Sequence, residues 1–197
     1  MRAFRLRAIA LTAAAGLVVA GASACGDVAG VKATLDTLHD SLTVFPLTGS
    51  SPVTPTALNT PFGMVTPVGP SGNFDLAFDL DAQRRVIIYP VKLIVQPLTG
   101  VNQVGLLKVA GSFENLTRAP TSKYERDEAL VVAVGEVVAI EALRNRSSDL
   151  CAFALSPNIY SKLVVDSVSA GTNAIWFRFV TNPNCGFRSF APGRPKD

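Results

Sequence analysis

The stretch Phe74-Asp75-Leu76-Ala77-Phe78-Asp79-Leu80-Asp81 alternates apolar residues with mainly acidic ones. A period of two belongs to a strand with one dry and one wet face. It assigns Phe74, Leu76, Phe78 and Leu80 to a core, and Asp75, Asp79 and Asp81 to a water-facing side. Asp81-Ala82-Gln83 reads as a turn. Arg84 to Gln96 then reads as a second extended run, Val86-Ile87-Ile88-Tyr89 followed by Val91-Lys92-Leu93-Ile94-Val95, with Pro90 marking a bulge, break or edge position.

Toward the carboxyl end the same signal recurs. Val104 to Val109 reads as a strand, and the polar, proline-bearing segment Leu116 to Glu128 as a loop. Leu130-Val131-Val132-Ala133-Val134 and Val137-Val138-Ala139-Ile140 flank Gly135-Glu136. Valine at that density favours the pleated state, so this region predicts a hairpin or one long bulged strand. Leu150 to Leu155, Lys162 to Val168 and Ala174 to Thr181 complete the set. Seven or eight short strands separated by Gly, Pro and Asn predict an all-β fold, an antiparallel β-sandwich or small barrel over residues 73–190. The polar tail, residues 191–197, is expected to fray.

Toward the amino end the pattern is mixed. Val31, Leu35, Leu38, Leu42 and Phe45 are spaced as a helical stripe, whereas Leu42-Thr43-Val44-Phe45 is rich in strand-forming types. A short helix, or an extended lead-in becoming a strand near Leu42, is expected. Pro46 to Pro70 holds six of the 13 prolines, which makes a central strand improbable. Its Val53, Leu58, Phe62, Met64 and Val65 favour a loop that packs over a free linker. Residues 25–72 are therefore expected as a lead-in and Pro/Ser/Thr-rich segment.

Residues 1–24 have the three parts of a removable export signal: basic Arg2, Arg5 and Arg7, an apolar run from Ala8 to Ala20, and small residues before a cut site. The apolar run is shorter than the roughly 20 residues of a membrane span. Ala22-Ser23-Ala24-Cys25 resembles the lipobox of bacterial lipoproteins, with Ala22 where that family most often has Leu. The resemblance covers only the leader and Cys25. It implies a diacylglycerol on the Cys25 sulfur, usually with a third acyl chain on its amine, and more than one chain gives stable membrane attachment.

The chain has Cys25, Cys151 and Cys185, an odd number for an exported protein. Lipidation accounts for Cys25. In an oxidising compartment Cys151 and Cys185 are then expected to pair, a staple contributing typically ~2 to 4 kcal/mol. Of the 18 Lys and Arg residues three lie in the leader, leaving 15 against 15 acidic residues after the cut. No basic run with interleaved aromatics is present, so nucleic acid is not an expected partner.

Chemistry-bearing motifs are sparse. His39, the one histidine, sits beside Asp40, away from any nucleophile motif, and Gly69-Pro70-Ser71-Gly72-Asn73 lacks the final glycine of a nucleophile elbow. No catalytic residues and no cofactor are assigned. Asp75, Asp79 and Asp81 share a parity and form a candidate calcium site, although acids of this kind also simply keep a wet face wet. Trp176 and Arg178 are out of step with Ile175, Phe177 and Phe179, and are expected to face outward as a binding patch. Asn115-Leu116-Thr117 and Asn145-Arg146-Ser147 match the glycosylation sequon, which carries no weight behind a lipoprotein signal. The expected protein is a lipid-anchored, non-enzymatic binding or structural domain of the cell envelope, contacting the membrane through its lipid and an envelope protein or glycan through its body. The alternatives are an exported hydrolase drawing on Asp75, Asp79, Asp81, Glu136 and Glu141, and an assembly subunit whose 31–45 segment adds to a neighbour's sheet edge.

Overall fold

A computed structural model describes residues 32–70, 73–95, 103–144, 151–152, 154 and 156–196. The leader, Cys25 and Asn145 lie outside the described residues. Ten strands follow in order: β1 (Leu38–Val44), β2 (Ala57–Asn59), β3 (Met64–Thr66), β4 (Leu76–Leu80), β5 (Val86–Pro90), β6 (Gln103–Val109), β7 (Leu130–Val132), β8 (Val137–Leu143), β9 (Asn158–Val168) and β10 (Ile175–Asn182). Single 3-10 turns stand at Thr60–Phe62 and Val91–Leu93. All strand pairs are antiparallel. The front sheet has the order β1-β10-β9-β8-β6 and the back sheet β3-β2-β4-β5-β7, which makes the fold a β-sandwich.

The alternation around β4 builds the core as expected on its apolar side. Phe74, Leu76 and Phe78 are buried, and the Phe78 ring stacks on Phe177 of the opposite sheet with centroids 5.3 Å apart. Ile88 of β5, Ile140 of β8, Leu163 of β9 and Phe179 of β10 fill the same layer. Fully burying each such side chain stabilises by about 1.5–3 kcal/mol.

The acidic side of β4 departs from expectation. Asp75 is fully buried: its Oδ2 accepts from the Thr60 N–H at 2.8 Å, the Thr60 hydroxyl at 2.7 Å and the Arg144 guanidinium at 2.6 Å. Pro61 sits at the start of the 3-10 turn, where a missing N–H costs nothing, so the turn can aim the Thr60 donors at the carboxylate. Period-two reasoning could not see a partner 69 residues away.

Other differences have equally local causes. Residues 32–45 form no helix, and β1 begins at Leu38 rather than near Leu42. Residues 46–70 contribute two strands, and β2 is an interior strand of the back sheet; Pro55 and Pro61 flank its three residues without interrupting them. β7 and β8 are neither a hairpin nor one bulged strand, because β7 pairs with β5 in the back sheet and β8 with β6 and β9 in the front. Gly135, at φ +86°, and the Glu136 carboxylate, which accepts the Ala133 N–H at 2.7 Å, turn the chain between the sheets. Cys151 and Ala152 lie in a turn rather than a strand. Rather than fraying, the tail is docked as far as Pro195: the Gly193 carbonyl accepts the Thr37 N–H at 3.0 Å, Arg194 pairs with Asp36 at 3.7 Å, and Pro195 is buried.

The outer side of the front sheet carries a second, smaller core. Residues 112–128 run back across it, and Phe113, Leu116, Ala119 and Tyr124 pack with Tyr160, Val180 and Phe190. Cys151 and Cys185 are bonded as expected, their Cα atoms 5.7 Å apart.

Candidate functional site

The site is built from the outermost strand of the front sheet. β1 pairs only with β10, from Leu38 opposite Thr181 to Val44 opposite Ile175. In a strand the N–H and C=O of one residue point to the same side, and neighbours point to opposite sides. Thr37 donates to the Gly193 carbonyl and Phe45 to the Pro55 carbonyl at 2.9 Å, both away from β10. Ser41, of the same parity, donates to its neighbour's Asp40 Oδ1 at 2.7 Å. His39, Ser41 and Thr43 therefore direct their main-chain groups to the free side, while Asp40, Leu42 and Val44 face β10.

The tail at Gly193 and the loop at Pro55 close the two ends of this edge. Between them the outer side of His39 to Thr43, about 17 Å long, has no strand paired to it among the described residues. Leu38, His39, Asp40 and Ser41 are all exposed. An uncovered row of peptide groups is a template for another strand.

Beside the edge, on the outer side of the sheet, lies an open cleft of about 410 Å³ lined by His39, Asp40, Ser41, Phe113, Arg178, Phe179 and Val180. Arg178 crosses its floor, donating to Glu114 at 2.5 Å and to both Asp166 oxygens at 3.1 and 3.2 Å, with its guanidinium 5.1 Å from the Phe113 ring centre. Lys162 backs the cleft. Its ammonium donates to the carbonyls of Phe113 at 2.5 Å and Leu116 at 3.0 Å, and lies 4.2 Å from the Phe113 ring centre. Burial lowers the Lys162 pKa. Burial first, and the Lys162 charge second, lower that of His39. Its Nε2 is 3.1 Å from the Thr37 hydroxyl.

Trp176 sits farther along β10, opposite Thr43, and is 42% exposed. It faces outward with Arg178, while Ile175, Phe177 and Phe179 are buried. Trp176, Thr43 and Ser41 thus belong to one outer surface with the cleft. The sequence pointed to Trp176 and Arg178; it did not point to Ser41, Thr43 or Phe113. A signal that could have found Ser41 and Thr43 is the run Leu38 to Val44, in which His39, Ser41 and Thr43 are polar at every second position, although Asp40 interrupts the apolar set between them.

The acidic candidates do not converge. Asp75 is held in its buried ion pair with Arg144. Asp79 accepts from the Thr48 hydroxyl at 2.7 Å and fixes the loop after β1. Asp81 Oδ1 accepts the Gln83 and Arg85 N–H groups, and Oδ2 the Arg85 Nε at 2.7 Å, which shapes the β4–β5 turn. Glu136 pairs with Lys108 at 2.7 Å, and that hydrogen bond lowers its pKa. Glu141 accepts from Arg126, from the Tyr160 hydroxyl at 2.9 Å and from Asn158 at 3.1 Å beneath the 112–128 segment. Among the described residues no group of three or more His, Cys, Asp or Glu side chains is arranged to hold a metal ion. No helix among them is long and apolar enough to cross a membrane.

No protein-family model, no curated protein and no solved structure matches the chain.

Proposed function

We propose that the protein is a lipid-anchored, non-enzymatic β-sandwich of the cell envelope that binds an extended segment of another envelope protein by strand addition along β1. The observation that carries the reading is the outward parity of His39, Ser41 and Thr43 between the stops at Gly193 and Pro55. Strand addition draws affinity from main-chain hydrogen bonds and selectivity from the side chains that flank them. Here the flanking surface is Trp176 and the cleft that contains His39, Phe113 and Arg178. The export leader and Cys25 supply the address. The carboxylates of the alternative hydrolase are each engaged in a separate structural contact, which favours binding over catalysis.

Photo-crosslinking in intact cells from a probe at position 43, repeated in a Ser41→Pro background, tests this. Proline removes an N–H that β10 does not use, so the fold survives while an added strand loses a bond and meets the ring. A discrete protein adduct, lost in the proline variant, is expected. An adduct of unchanged yield, or recovery of lipid alone, contradicts strand addition.

A further inference from the structure

Among the described residues, five of the eight exposed large apolar side chains gather at one end of the sandwich. Leu35 and Leu38 stand where the chain joins β1, and Phe62, Met64 and Leu93 stand on or beside the two 3-10 turns. The contacts of the same end tie these segments together. Asp75 bonds Thr60 and Arg144, the Val91 N–H donates to the Asp75 carbonyl, β1 packs beside β3, and Gly63 lies against the Phe179 ring. Phe62 is 55% exposed and Met64 62%. The opposite end is closed by polar contacts between its turns. Arg84 donates to Asn173 Oδ1 at 2.9 Å and to the Ser169 carbonyl at 2.6 Å, and Val53, Val134 and Trp176 are the exposed large apolar residues toward that end.

The amino-terminal lead-in is fastened to the apolar end. The Thr34 and Leu35 N–H groups both donate to Asn184 Oδ1, at 2.9 and 3.0 Å, and Asn184 Nδ2 returns a bond to the Leu35 carbonyl at 2.8 Å. Thr37 is held by Ala191 and Gly193. Eight residues lie between Cys25 and Thr34, and the nine-step span extends to at most about 32 Å. A lipid on Cys25 thus limits how far this end can stand from the bilayer.

We infer that the end of the sandwich bearing Leu35, Leu38, Phe62, Met64 and Leu93 rests on the bilayer and places these side chains in its interfacial layer. The inference rests on the lipid-anchor reading of Cys25. The occupant is a lipid surface rather than a second protein because the tether brings that surface to the patch without a diffusional search. Burial of apolar side chains in the interface then adds to the acyl anchor. It also sets the height of the binding edge, since β1 rises from this end and a partner is engaged just above the headgroups.

Trp176 is the only tryptophan, so Trp176→Phe with Phe62→Trp gives a single reporter at the apolar end, and Trp176→Phe with Val134→Trp one at the far end. Met64→Trp serves where Phe62→Trp does not fold. The full-length gene is expressed, and the protein is extracted, weighed intact and reconstituted in phosphatidylethanolamine–phosphatidylglycerol vesicles containing brominated lipid. Quenching about twofold or more stronger at position 62 or 64 than at 134, on protein whose mass shows acylated Cys25, supports the inference. Acylated protein with equal quenching at both ends overturns the contact and leaves the anchor standing. An unmodified Cys25 removes the anchor and the inference with it.

Discussion

The two edges of the front sheet are treated differently. At β6 the chain returns to bridge the middle of its own edge: Leu106 and Glu125 exchange N–H···O bonds of 2.7 and 2.8 Å, and Tyr124 and Arg126 lie over Gly105. At β1 the tail and the 55 loop touch only the ends, and the main-chain groups of His39, Ser41 and Thr43 are left facing outward. Open edges invite unwanted pairing, and proteins commonly cover or shorten them. One edge is bridged at its middle by residues 112–128, and the other is bounded at its two ends to about 17 Å, a short edge of the kind that limits unwanted pairing.

The contrast depends first on the sandwich staying closed at the end where Asp75 and Arg144 meet. Asp75→Ala should destabilise by about 3–5 kcal/mol, because it leaves the Arg144 charge buried without its carboxylate. Calorimetric melting checks this. Loss below about 1 kcal/mol would mean that solvent reaches Arg144 more freely than its burial implies.

Next comes the parity of β1 itself. Leu42→Pro removes a donor to β10 and should cost about 3 kcal/mol or more, whereas Ser41→Pro, one residue away, should cost about 1 kcal/mol or less. Urea unfolding of the pair reads the difference. Equal losses would show that Ser41 faces the ladder and that the edge is not open.

At the bridged edge, a Cβ on Gly105 would stand 2.7 Å from the Tyr124 Cβ, an atom that cannot swing aside without moving the backbone. Gly105→Ala should cost about 1–3 kcal/mol. It should also speed hydrogen exchange at the Leu106 and Glu125 amides while leaving β1 exchange unchanged. Unchanged exchange at both amides would mean that the 112–128 segment does not depend on that close approach.

The smallest effect is electrostatic. The folded His39 pKa lies below its ordinary value, so between the two values the unfolded chain binds more protons and stability rises with pH, flattening above the ordinary value. Lys162→Gln removes the repelling charge and should raise the His39 midpoint, read by NMR on the single histidine. A fall would show that Lys162 does not act on His39 as its position implies.

The strands of the core were legible because they alternate or run as valine-rich blocks. Phe74, Leu76 and Phe78 face inward, and β8, β9 and β10 fall within a few residues of expectation. The burial of Asp75 was not legible, since its partners come from a turn 15 residues upstream and a strand end 69 residues downstream. β1 was obscured by Leu35, Leu38, Leu42 and Phe45, which satisfy a helical stripe, while only Ser41 to Val44 alternate as a strand; pairing with β10 decides between them. The separation of β7 from β8 into different sheets depends on which neighbours each meets, and local propensity does not encode that. Trp176 and Arg178 could be read as outward-facing, and sheet-edge addition by residues 31–45 stood only as an alternative, because which strand ends outermost is a property of the sheet rather than of any one strand.

Amide hydrogen exchange at His39, Ser41 and Thr43, measured on the purified chain and on the crosslink-identified complex, tests the open edge most directly. The account predicts rapid exchange at His39 and Thr43 in the chain alone, slower exchange at Asp40 and Leu42, and protection of the outward set when the partner is bound. Protection of His39 and Thr43 in the chain alone, or exchange that stays rapid in the complex, would contradict it.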